Sequence, residues 1–354
     1  MSTGDGGRPE VAPTGDRTGP DRGSGELWTD WSASFGLRVP ILNAPMGGVA
    51  GGRLATAVTR AGGLGMVGIG SAGTIELLRR ETAVARHAGV RFGVGLLDWA
   101  LQRDPRLLDE AIEARPSLVS VSFGARWRWI DQIHAAGIAA ATQVYDVETA
   151  RRALDAGIDV LVVRGAEGGG HGVHEVGTLV LLQEVLEAVP GPVLAAGGVT
   201  SHRGLAAVLA AGAAGAWIGT PFVACPESLA DDAVRARLVG AGGQDTVCTR
   251  VFDVALGNPW PPQFSERVLR NDVTDRWAGR EDDLALDPEA HAAVHAAILR
   301  GEAAVAAVNA GQGVGLVTDV RPAATVVAEL ASGAARLLAG WDTRSGRPPS
   351  TNTP

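Results

Sequence analysis

Lysine does not occur anywhere in the 354 residues, so arginine carries all 31 basic side chains. Schiff-base aldolases, pyridoxal-phosphate enzymes and Walker-type phosphate loops each need a lysine amine, and its absence excludes all three. A phosphate group bound by this chain must be held by backbone N–H groups, hydroxyls or arginine.

Cysteine is almost as scarce, with only Cys225 and Cys248 in the chain. Two cysteines without CxxC spacing form neither a disulfide framework nor a thiolate zinc site, so no metal site is predicted. This usage is typical of a reducing cytoplasm, which is the predicted location. Long apolar runs are also missing, because the Ala- and Gly-rich stretch 204–219 falls short of the ~20 strongly apolar residues of a membrane span.

The formal net charge of −8 leaves no general basic surface. Nucleic acids and anionic membranes are therefore not predicted partners. Residues 1–25 are rich in Gly, Pro, Asp and Arg and lack the apolar segment of a signal peptide, so we expect a disordered tail there. A second disordered tail is expected over 341–354.

Short apolar segments alternate with longer segments of helical period, which is typical of an α/β protein. Eight strands are predicted, at 39–43, 65–69, 91–96, 118–122, 138–144, 159–164, 192–196 and 216–218. Helices are predicted between them, at 52–61, 74–88, 127–136, 147–156, 179–189 and 201–211. Strand starts lie roughly 20 to 30 residues apart, the length of one βα unit. Eight such units close a (β/α)8 TIM barrel, predicted over 26–224.

A doubly wound sheet is the main alternative fold, but NAPMGG follows the first strand where a dinucleotide fingerprint would be expected. The phrases AGGLG (61–65), AAGIA (135–139) and DAGID (155–159) each predict a helix closed by a left-handed glycine before a strand begins. Residues 225–340 are predicted to form a lid-like insertion with NPWPPQF at 258–264, then C-terminal helices at 288–309 and 322–338 that pack on the barrel.

The active site of such a barrel lies at the C-terminal ends of its strands. Small residues follow strands one, two, three and seven, so a planar ring could lie on an open mouth. Two loops also suit a phosphate, because Gly197 and Gly198 precede a helix and Gly219 and Thr220 end strand eight. The sequence therefore predicts a phosphate site between the loops after strands seven and eight.

The candidate catalytic residue is His171, in the segment RGAEGGGHG (164–172) after strand six. A histidine brought to the strand ends on a glycine-rich loop can act as base, acid or hydrogen-bond donor near neutral pH. Four of the other six histidines lie on predicted helices, and a fifth, His202, opens one. His174 lies beyond the glycine run and is a weaker candidate.

These motifs resemble the FMN-dependent nitronate monooxygenases, formerly called 2-nitropropane dioxygenases, and the related FMN-dependent enoyl-acyl-carrier-protein reductases. The resemblance covers about 40–338 and rests on NAPMGGVAGGRLATAVTRAGGLGMVG, RGAEGGGHG, LAAGGVTSHRGLAAVLAAGAAGAWIGTPF and GQGVGLV. It implies that His171 is catalytic and that FMN is bound. The cofactor residues it implies are Ala44, Pro45, Met46, Gly68, Gln143, Gly169, Gly170, Gly197, Gly198, Gly219 and Thr220.

Two positions depart from the family pattern. Gly95 stands where many nitronate monooxygenases carry an asparagine, and Arg164 stands where relatives carry a smaller or acidic polar residue. Arg164 is nevertheless counted among the candidate cofactor-binding residues. Both departures leave the substrate open.

The activity implied by the resemblance is FMN-dependent oxidation of alkyl nitronates or nitroalkanes with O2 to a carbonyl compound and nitrite. One alternative is an FMN-dependent reductase that passes hydride from NAD(P)H to an activated alkene such as an enoyl thioester. Another is a flavin-binding protein without turnover. A barrel of the IMP dehydrogenase class would need a cysteine on the loop after strand six, and that loop has none. The oligomeric state is left open.

Overall fold

The computed structural model describes residues 27–300, 302 and 305–344. Its strands are Ile41–Asn43 (β1), Gly65–Gly68 (β2), Phe92–Leu97 (β3), Leu118–Ser122 (β4), Ala139–Val144 (β5), Val160–Arg164 (β6), Gly170–Gly172 (β7), Val193–Ala196 (β8), Gly215–Ile218 (β9), Thr246–Thr249 (β10) and Ser265–Leu269 (β11). One eight-stranded parallel sheet runs in the order β1-β9-β8-β6-β5-β4-β3-β2. All eight predicted strands and the TIM-barrel fold are confirmed.

The described helices are Asp30–Ser34 (α1), Gly52–Arg60 (α2), Ile75–His87 (α3), Asp98–Arg103 (α4), Arg106–Glu113 (α5), Ile130–Ala135 (α6), Val147–Asp155 (α7), Thr178–Ala188 (α8), His202–Ala210 (α9), Thr220–Val223 (α10), Asp232–Val239 (α11), Val251–Leu256 (α12), Asp272–Trp277 (α13), Glu281–Leu286 (α14), Pro288–Leu299 (α15) and Ala323–Arg344 (α16). The six helices predicted between barrel strands are confirmed. Gly62, Gly137 and Gly157 close α2, α6 and α7 with φ of +112°, +70° and +101°, as the three glycine phrases predict.

The barrel buries its apolar side chains in two layers. Inward-facing residues form a core inside the barrel that includes Leu42, Met66, Val162, Leu194 and Trp217, all 4% exposed or less. Alternate residues face outward and pack under the surrounding helices. This alternation fixes which side chain at each strand end faces the mouth of the barrel.

The barrel is closed between β1 and β2 by one backbone bridge and one side chain. The bridge joins Leu42 to Leu64. Next to it, the fully buried Asn43 accepts a hydrogen bond from Met66 N at 2.8 Å and donates from Nδ2 to Met66 O at 2.9 Å. The amide of Asn43 therefore takes the place of the next step of the backbone ladder.

Asn43→Ala is expected to lower the free energy of unfolding by about 2 kcal/mol, because it leaves a buried N–H and a buried C=O of Met66 without partners. Urea denaturation of both proteins measures this difference. The matched control is Gln183→Ala, which removes an exposed side-chain amide that donates to a backbone carbonyl. If both substitutions shift the denaturation midpoint equally, Asn43 does not close the barrel.

The last helix completes the ring around the barrel. α16 packs against α9 and α2, and Gly333 allows close approach because a Cβ there would lie 2.5 Å from the Cβ of His202. Its segment Ala323–Gly340 is long and apolar enough to cross a membrane by length and composition. Its buried residues, including Val327 and Ala334, nevertheless belong to the main core of the barrel.

Two predicted segments differ from the structure. The helix predicted over 288–309 is too long, since α15 ends at Leu299 and Asn309 forms an antiparallel bridge with Val268. α16 continues to Arg344, so the predicted C-terminal tail cannot begin at 341. The remainder of that tail, and the predicted N-terminal tail, lie outside the described residues.

The segment between β9 and α16 contributes two strands, β10 and β11, to a small antiparallel sheet that the sequence did not predict. Its strands run in the order β10-β11-β7. β7 belongs to the glycine-rich segment after β6, which was predicted to be a loop; residues 170–172 instead form an edge strand paired with β11. The insertion is thus joined to the barrel at the segment that carries the candidate catalytic histidine.

Candidate active site

The floor of the barrel mouth is made by the inward-facing residue at the end of each strand. On a strand, the residue two positions after an inner-core residue faces the same way. Five such residues at the strand ends are Ala44, Gly68, Arg164, Ala196 and Gly219, which follow the inner-core residues Leu42, Met66, Val162, Leu194 and Trp217. Most of these side chains are small or absent. Small residues thus lie at the ends of several strands around the mouth, as the sequence predicts.

Gln143 is a polar member of this floor. It follows the inner-core residue Ala141 on β5, and its Oε1 accepts a hydrogen bond from the hydroxyl of Tyr145 at 3.2 Å. Burial raises the pKa of Tyr145 above its usual value of 10, so its phenol stays neutral. The side-chain amide of Gln143 is thereby held at the rim with its NH2 group able to donate.

Pro45 lies across the ends of β2 and β3. A Cβ at Gly68 would lie 2.3 Å from the carbonyl carbon of Pro45, and a Cβ at Gly95 would lie 2.3 Å from its ring. An asparagine at position 95 would therefore collide with Pro45. Met46, the next residue, lies near the end of β9. A Cβ at Gly219 would lie 3.6 Å from its sulfur.

The loop after β8 presents a row of free backbone donors. Gly197 and Gly198 adopt φ of +100° and +69°, which turns the chain sharply into α9. Among the described residues, no acceptor receives a hydrogen bond from the N–H of Gly198, Val199 or Thr200. Donors of this kind at the start of a helix are a common anion site.

The late motif GQGVGLV lies beside the loops after β8 and β9, and we call these three segments together the cradle. Thr220 Oγ1 accepts a hydrogen bond from Gly311 N at 3.0 Å. A Cβ at Gly313 would lie 2.0 Å from Thr200 Oγ1, so this segment lies directly against the loop after β8. A cavity of about 180 Å³ adjoins the cradle, lined in part by Thr200, Ser201 and Pro221.

Arg164 is buried beneath the segment that carries His171. Its Nη2 donates to the carbonyl oxygens of Gly168, Gly169 and Gly170 at 3.0, 2.9 and 2.9 Å. Burial lowers its pKa, and its Nη1 has no hydrogen-bond partner among the described residues. The guanidinium thus shapes the loop that borders the predicted cofactor site, a role different from the direct cofactor contact predicted for it.

The same loop is anchored at its start by Glu167. Its carboxylate accepts hydrogen bonds from the backbone N and the hydroxyl of Thr178, both at 2.8 Å, and so caps α8. His174 lies after the glycine-rich loop, between the loop and β11. Its ring nitrogens lie 3.0 Å from Ala166 O and 3.1 Å from Ser265 O. Burial, together with nearby Arg164, lowers the pKa of His174 to about 4, so the ring is neutral at neutral pH and its single N–H donates to one of these two oxygens.

His171 is held at the edge of the mouth by a carboxylate. Its Nε2 lies 2.9 Å from Asp253 Oδ2 on α12, and the two side chains are only 14% and 7% exposed. Glu266 lies opposite His171 in the β7–β11 pairing. Burial, and then the nearby charge of Asp253, raises the pKa of Glu266 to about 8.

Trp260 covers the free face of His171. The two rings are parallel, with centroids 3.7 Å apart, and Trp260 Nε1 donates to Ser71 Oγ at 3.0 Å. Its ring also makes edge contacts with Trp99 and Phe123, beyond the ends of β3 and β4. The insertion therefore crosses the mouth from the β6 side to the β2–β4 side.

A second concave surface lies at the opposite end of the barrel. It has a volume of about 730 Å³ and is lined in part by Arg86, Glu113 and Arg115. These residues precede the strands, whereas barrel active sites lie where the strands end. We place no site there.

All the predicted site residues lie at the C-terminal end of the barrel, and most surround one mouth. The sequence analysis missed Asp253, Glu266 and the contact of the segment around Gly311 with Thr220. Glu266 shares strand parity with the buried Val268, which is an unusual place for a carboxylate and was the available signal. Nothing in the sequence around Asp253 links it to a histidine 82 positions away.

The structure therefore combines a parallel barrel, a row of free backbone donors after β8 and a buried histidine–carboxylate pair at the edge of its mouth. The sequence profile described as nitronate monooxygenase matches residues 98–333. The chain therefore belongs to the nitronate monooxygenase family and is a flavin-dependent oxidoreductase.

Curated relatives include two kinds of protein. A nitronate monooxygenase of Paraburkholderia phytofirmans is 30% identical, covering 84% of this chain and 92% of its own length. A (3aS,4S,5R,7aS)-5-hydroxy-7a-methyl-1-oxo-octahydro-1H-indene-4-carboxyl-CoA dehydrogenase of Rhodococcus jostii is 35% identical, covering 70% of this chain and 67% of its own. The chain is thus similar both to a nitronate monooxygenase and to a CoA-thioester dehydrogenase.

Solved structures show the same division. FabK of Thermotoga maritima superposes with a TM-score of 0.77 at 28% identity, covering 90% of this chain and 99% of its own. A nitroalkane oxidase of Streptomyces ansochromogenes superposes with a TM-score of 0.71 at 29% identity, covering 88% and 99%. The fold alone does not distinguish between these activities.

Proposed function

We propose that this chain binds FMN and oxidises alkyl nitronates or nitroalkanes with O2 to a carbonyl compound and nitrite. The observation that carries the proposal is the pair of His171 and Asp253 at the edge of the mouth. A histidine backed by a carboxylate is suited to take the proton next to a nitro group. The likeness to a nitronate monooxygenase and to a nitroalkane oxidase supports the same reaction.

The residues present fit FMN. The free N–H groups of Gly198, Val199 and Thr200 would hold its phosphate, with the hydroxyl of Thr220 beside them. The small side chains of the floor leave room for the flat ring. The NH2 group of Gln143 would donate to an oxygen or nitrogen at the ring edge.

In the proposed reaction, FMN would supply the electron acceptor when it is bound. His171 takes the proton of a neutral nitroalkane or donates a hydrogen bond to a nitronate oxygen, and Asp253 stabilises the imidazolium that forms. Trp260 and its aromatic neighbours form an apolar cover that excludes water from the mouth.

The test is nitrite release from ethylnitronate in air by purified FMN-loaded protein without NAD(P)H. Catalytic nitrite formation supports the proposal. Heat-denatured protein and free FMN are the controls, because both contain flavin without the folded site. If no nitrite forms above these controls, the proposal is wrong and the family membership is unaffected.

A second candidate is an FMN-dependent reductase that passes hydride from NAD(P)H to an activated alkene. The likeness to FabK and to a CoA-thioester dehydrogenase favours it. The two candidates share the site and differ in the electron donor. Anaerobic bleaching of the flavin by NADPH, followed by reoxidation with crotonyl-CoA, would support the reductase.

A further inference from the structure

Three ionisable groups from three separate elements meet behind the mouth. His171 comes from β7, Asp253 from α12 and Glu266 from β11, and one nitrogen or oxygen of each lies within 4.8 Å of the others. Asp253 and Glu266 are only 5% and 4% exposed. Two carboxyl groups so close and so deeply buried cannot both carry a negative charge without a large cost.

No arginine neutralises this pair. Among the ion pairs of the described residues, Asp253 pairs only with His171, and Glu266 has no partner. Arg267, next to Glu266 in sequence, points to the other face of the sheet and donates to Ala166 O. On the same face, Thr249 lies opposite Glu266 and donates its hydroxyl to Glu281, a third carboxylate. A proton on Glu266 therefore relieves the repulsion.

The bond to Asp253 also decides which nitrogen of His171 is free. A carboxylate accepts hydrogen bonds, so Nε2 must carry a hydrogen to pair with Asp253 Oδ2 at 2.9 Å. In the described structure, Nδ1 makes no hydrogen bond. In the neutral ring Nδ1 then carries the lone pair.

We propose that Asp253 and Glu266 are positioning residues for His171, with Asp253 fixing the Nε2–H tautomer so that Nδ1 meets the substrate and Glu266 staying protonated and uncharged beside Asp253. This inference rests on the proposed function only in taking His171 as the base. It goes further by naming the reacting atom and a buried acid pair behind it.

The proton step is balanced within the substrate and this cluster. The C–H bond next to the nitro group breaks, its electron pair moves onto the nitro group to give the nitronate, and the proton bonds to Nδ1 of His171. Asp253 accepts the hydrogen bond of the resulting imidazolium. Glu266 keeps its proton during this step, so the cluster gains no second negative charge.

Asp253→Asn tests the positioning role by comparing two substrates. A neutral nitroalkane needs the base, whereas its nitronate is already deprotonated. We expect kcat on nitroethane to fall on the order of 10²-fold to 10³-fold, and kcat on ethylnitronate to fall much less. Asp275→Asn is the matched control, because Asp275 lies exposed on α13 of the same insertion and pairs with Arg270. An equal loss on both substrates would mean a purely structural role for Asp253.

Glu266→Gln tests the protonated state of Glu266 through the pH profile. Glutamine mimics the protonated carboxyl but has no proton to lose. In the unchanged enzyme, burial beside Asp253 raises the pKa of Glu266 to about 8, and its ionisation should give a break in the pH profile there. The variant should lack that break. A break of equal size in Glu266→Gln would overturn the role of Glu266.

The tautomer is measured without turnover, by ¹⁵N NMR of the histidine rings with His171 assigned from its loss in His171→Asn. We expect the Nε2–H form in the unchanged protein and a shift toward Nδ1–H in Asp253→Asn, whose amide can donate. An Nδ1–H form in the unchanged protein would overturn the proposal. If neither nitro substrate is turned over, the proposed function fails while this measurement still decides the tautomer.

A divalent cation between the three groups is the competing explanation of two buried carboxyls. Zinc is the probe, added to chelator-treated protein and followed by calorimetry. Stoichiometric binding that Glu266→Gln abolishes, together with activity that depends on the metal, would overturn the role of Glu266 as a protonated, uncharged group. Unchanged activity and an unchanged NMR spectrum after chelation support it.

Discussion

The His171→Ala enzyme is expected to keep its flavin and to lose turnover of a neutral nitroalkane by about 10²-fold to 10⁴-fold, the usual contribution of one positioned acid–base group. The flavin should remain because the phosphate cradle lies on other loops, after β8 and β9 and around Gly311. Loss of the ring removes the hydrogen bond between Asp253 and the group that acts on the substrate.

Flavin content is measured by absorbance after gel filtration, and turnover by nitrite release. His134→Ala is the control, since His134 lies on α6 and pairs with Asp159 away from the mouth. Nitrite release by His171→Ala close to that of the unchanged enzyme would show that His171 is not catalytic. Loss of flavin from the variant would show instead that the ring helps to hold the cofactor.

Glu266 is expected to make the protein less stable as the pH rises. Its pKa is raised from 4.5 to about 8 in the folded state, so folding binds a proton between these two values. Its stabilising contribution is complete below pH 4.5 and is lost as the pH rises through about 8. This loss is on the order of 5 kcal/mol in the free energy of unfolding.

Glu266→Gln removes that dependence, because glutamine has no proton to lose. Urea denaturation at several pH values between 5 and 9 should show the variant more stable than the unchanged protein at pH 8.5, with the difference shrinking toward pH 5. Taking the difference cancels the other carboxylates, which titrate in both proteins. Parallel stability curves for the two proteins would mean that Glu266 is not buried as a neutral acid.

The barrel strands could be predicted because each βα unit carries its own hydrophobic period. The strand Leu118–Ser122 has the bounds that the sequence predicted. β7 could not be predicted, since Gly170–Gly172 contains no apolar residue and forms a strand only by pairing with β11 far along the chain. Contacts made when distant segments dock leave no local pattern.

The candidate site likewise contains residues that could be predicted from the sequence and residues that could not. The glycine loops and His171 stand in motifs that follow barrel strands, so their place at the mouth could be predicted. Asp253 reaches His171 only after the insertion folds over the mouth. The hydrogen bonds of Arg164 could not be predicted either. Strand alternation places its side chain toward the inside of the barrel but does not show that it donates to carbonyl oxygens of the loop that follows it. The roles of the predicted cofactor residues and the cytoplasmic location stay predictions.

The chain order of barrel and cover has a consequence for folding. Residues 219–322 separate the last barrel strand from α16, which packs against α2 and α9. During synthesis the apolar sides of α2 and α9 therefore stay in contact with water until α16 is made, and the cover is made before α16. Completion of the barrel is thereby tied to completion of its cover, and the two should unfold as one cooperative unit.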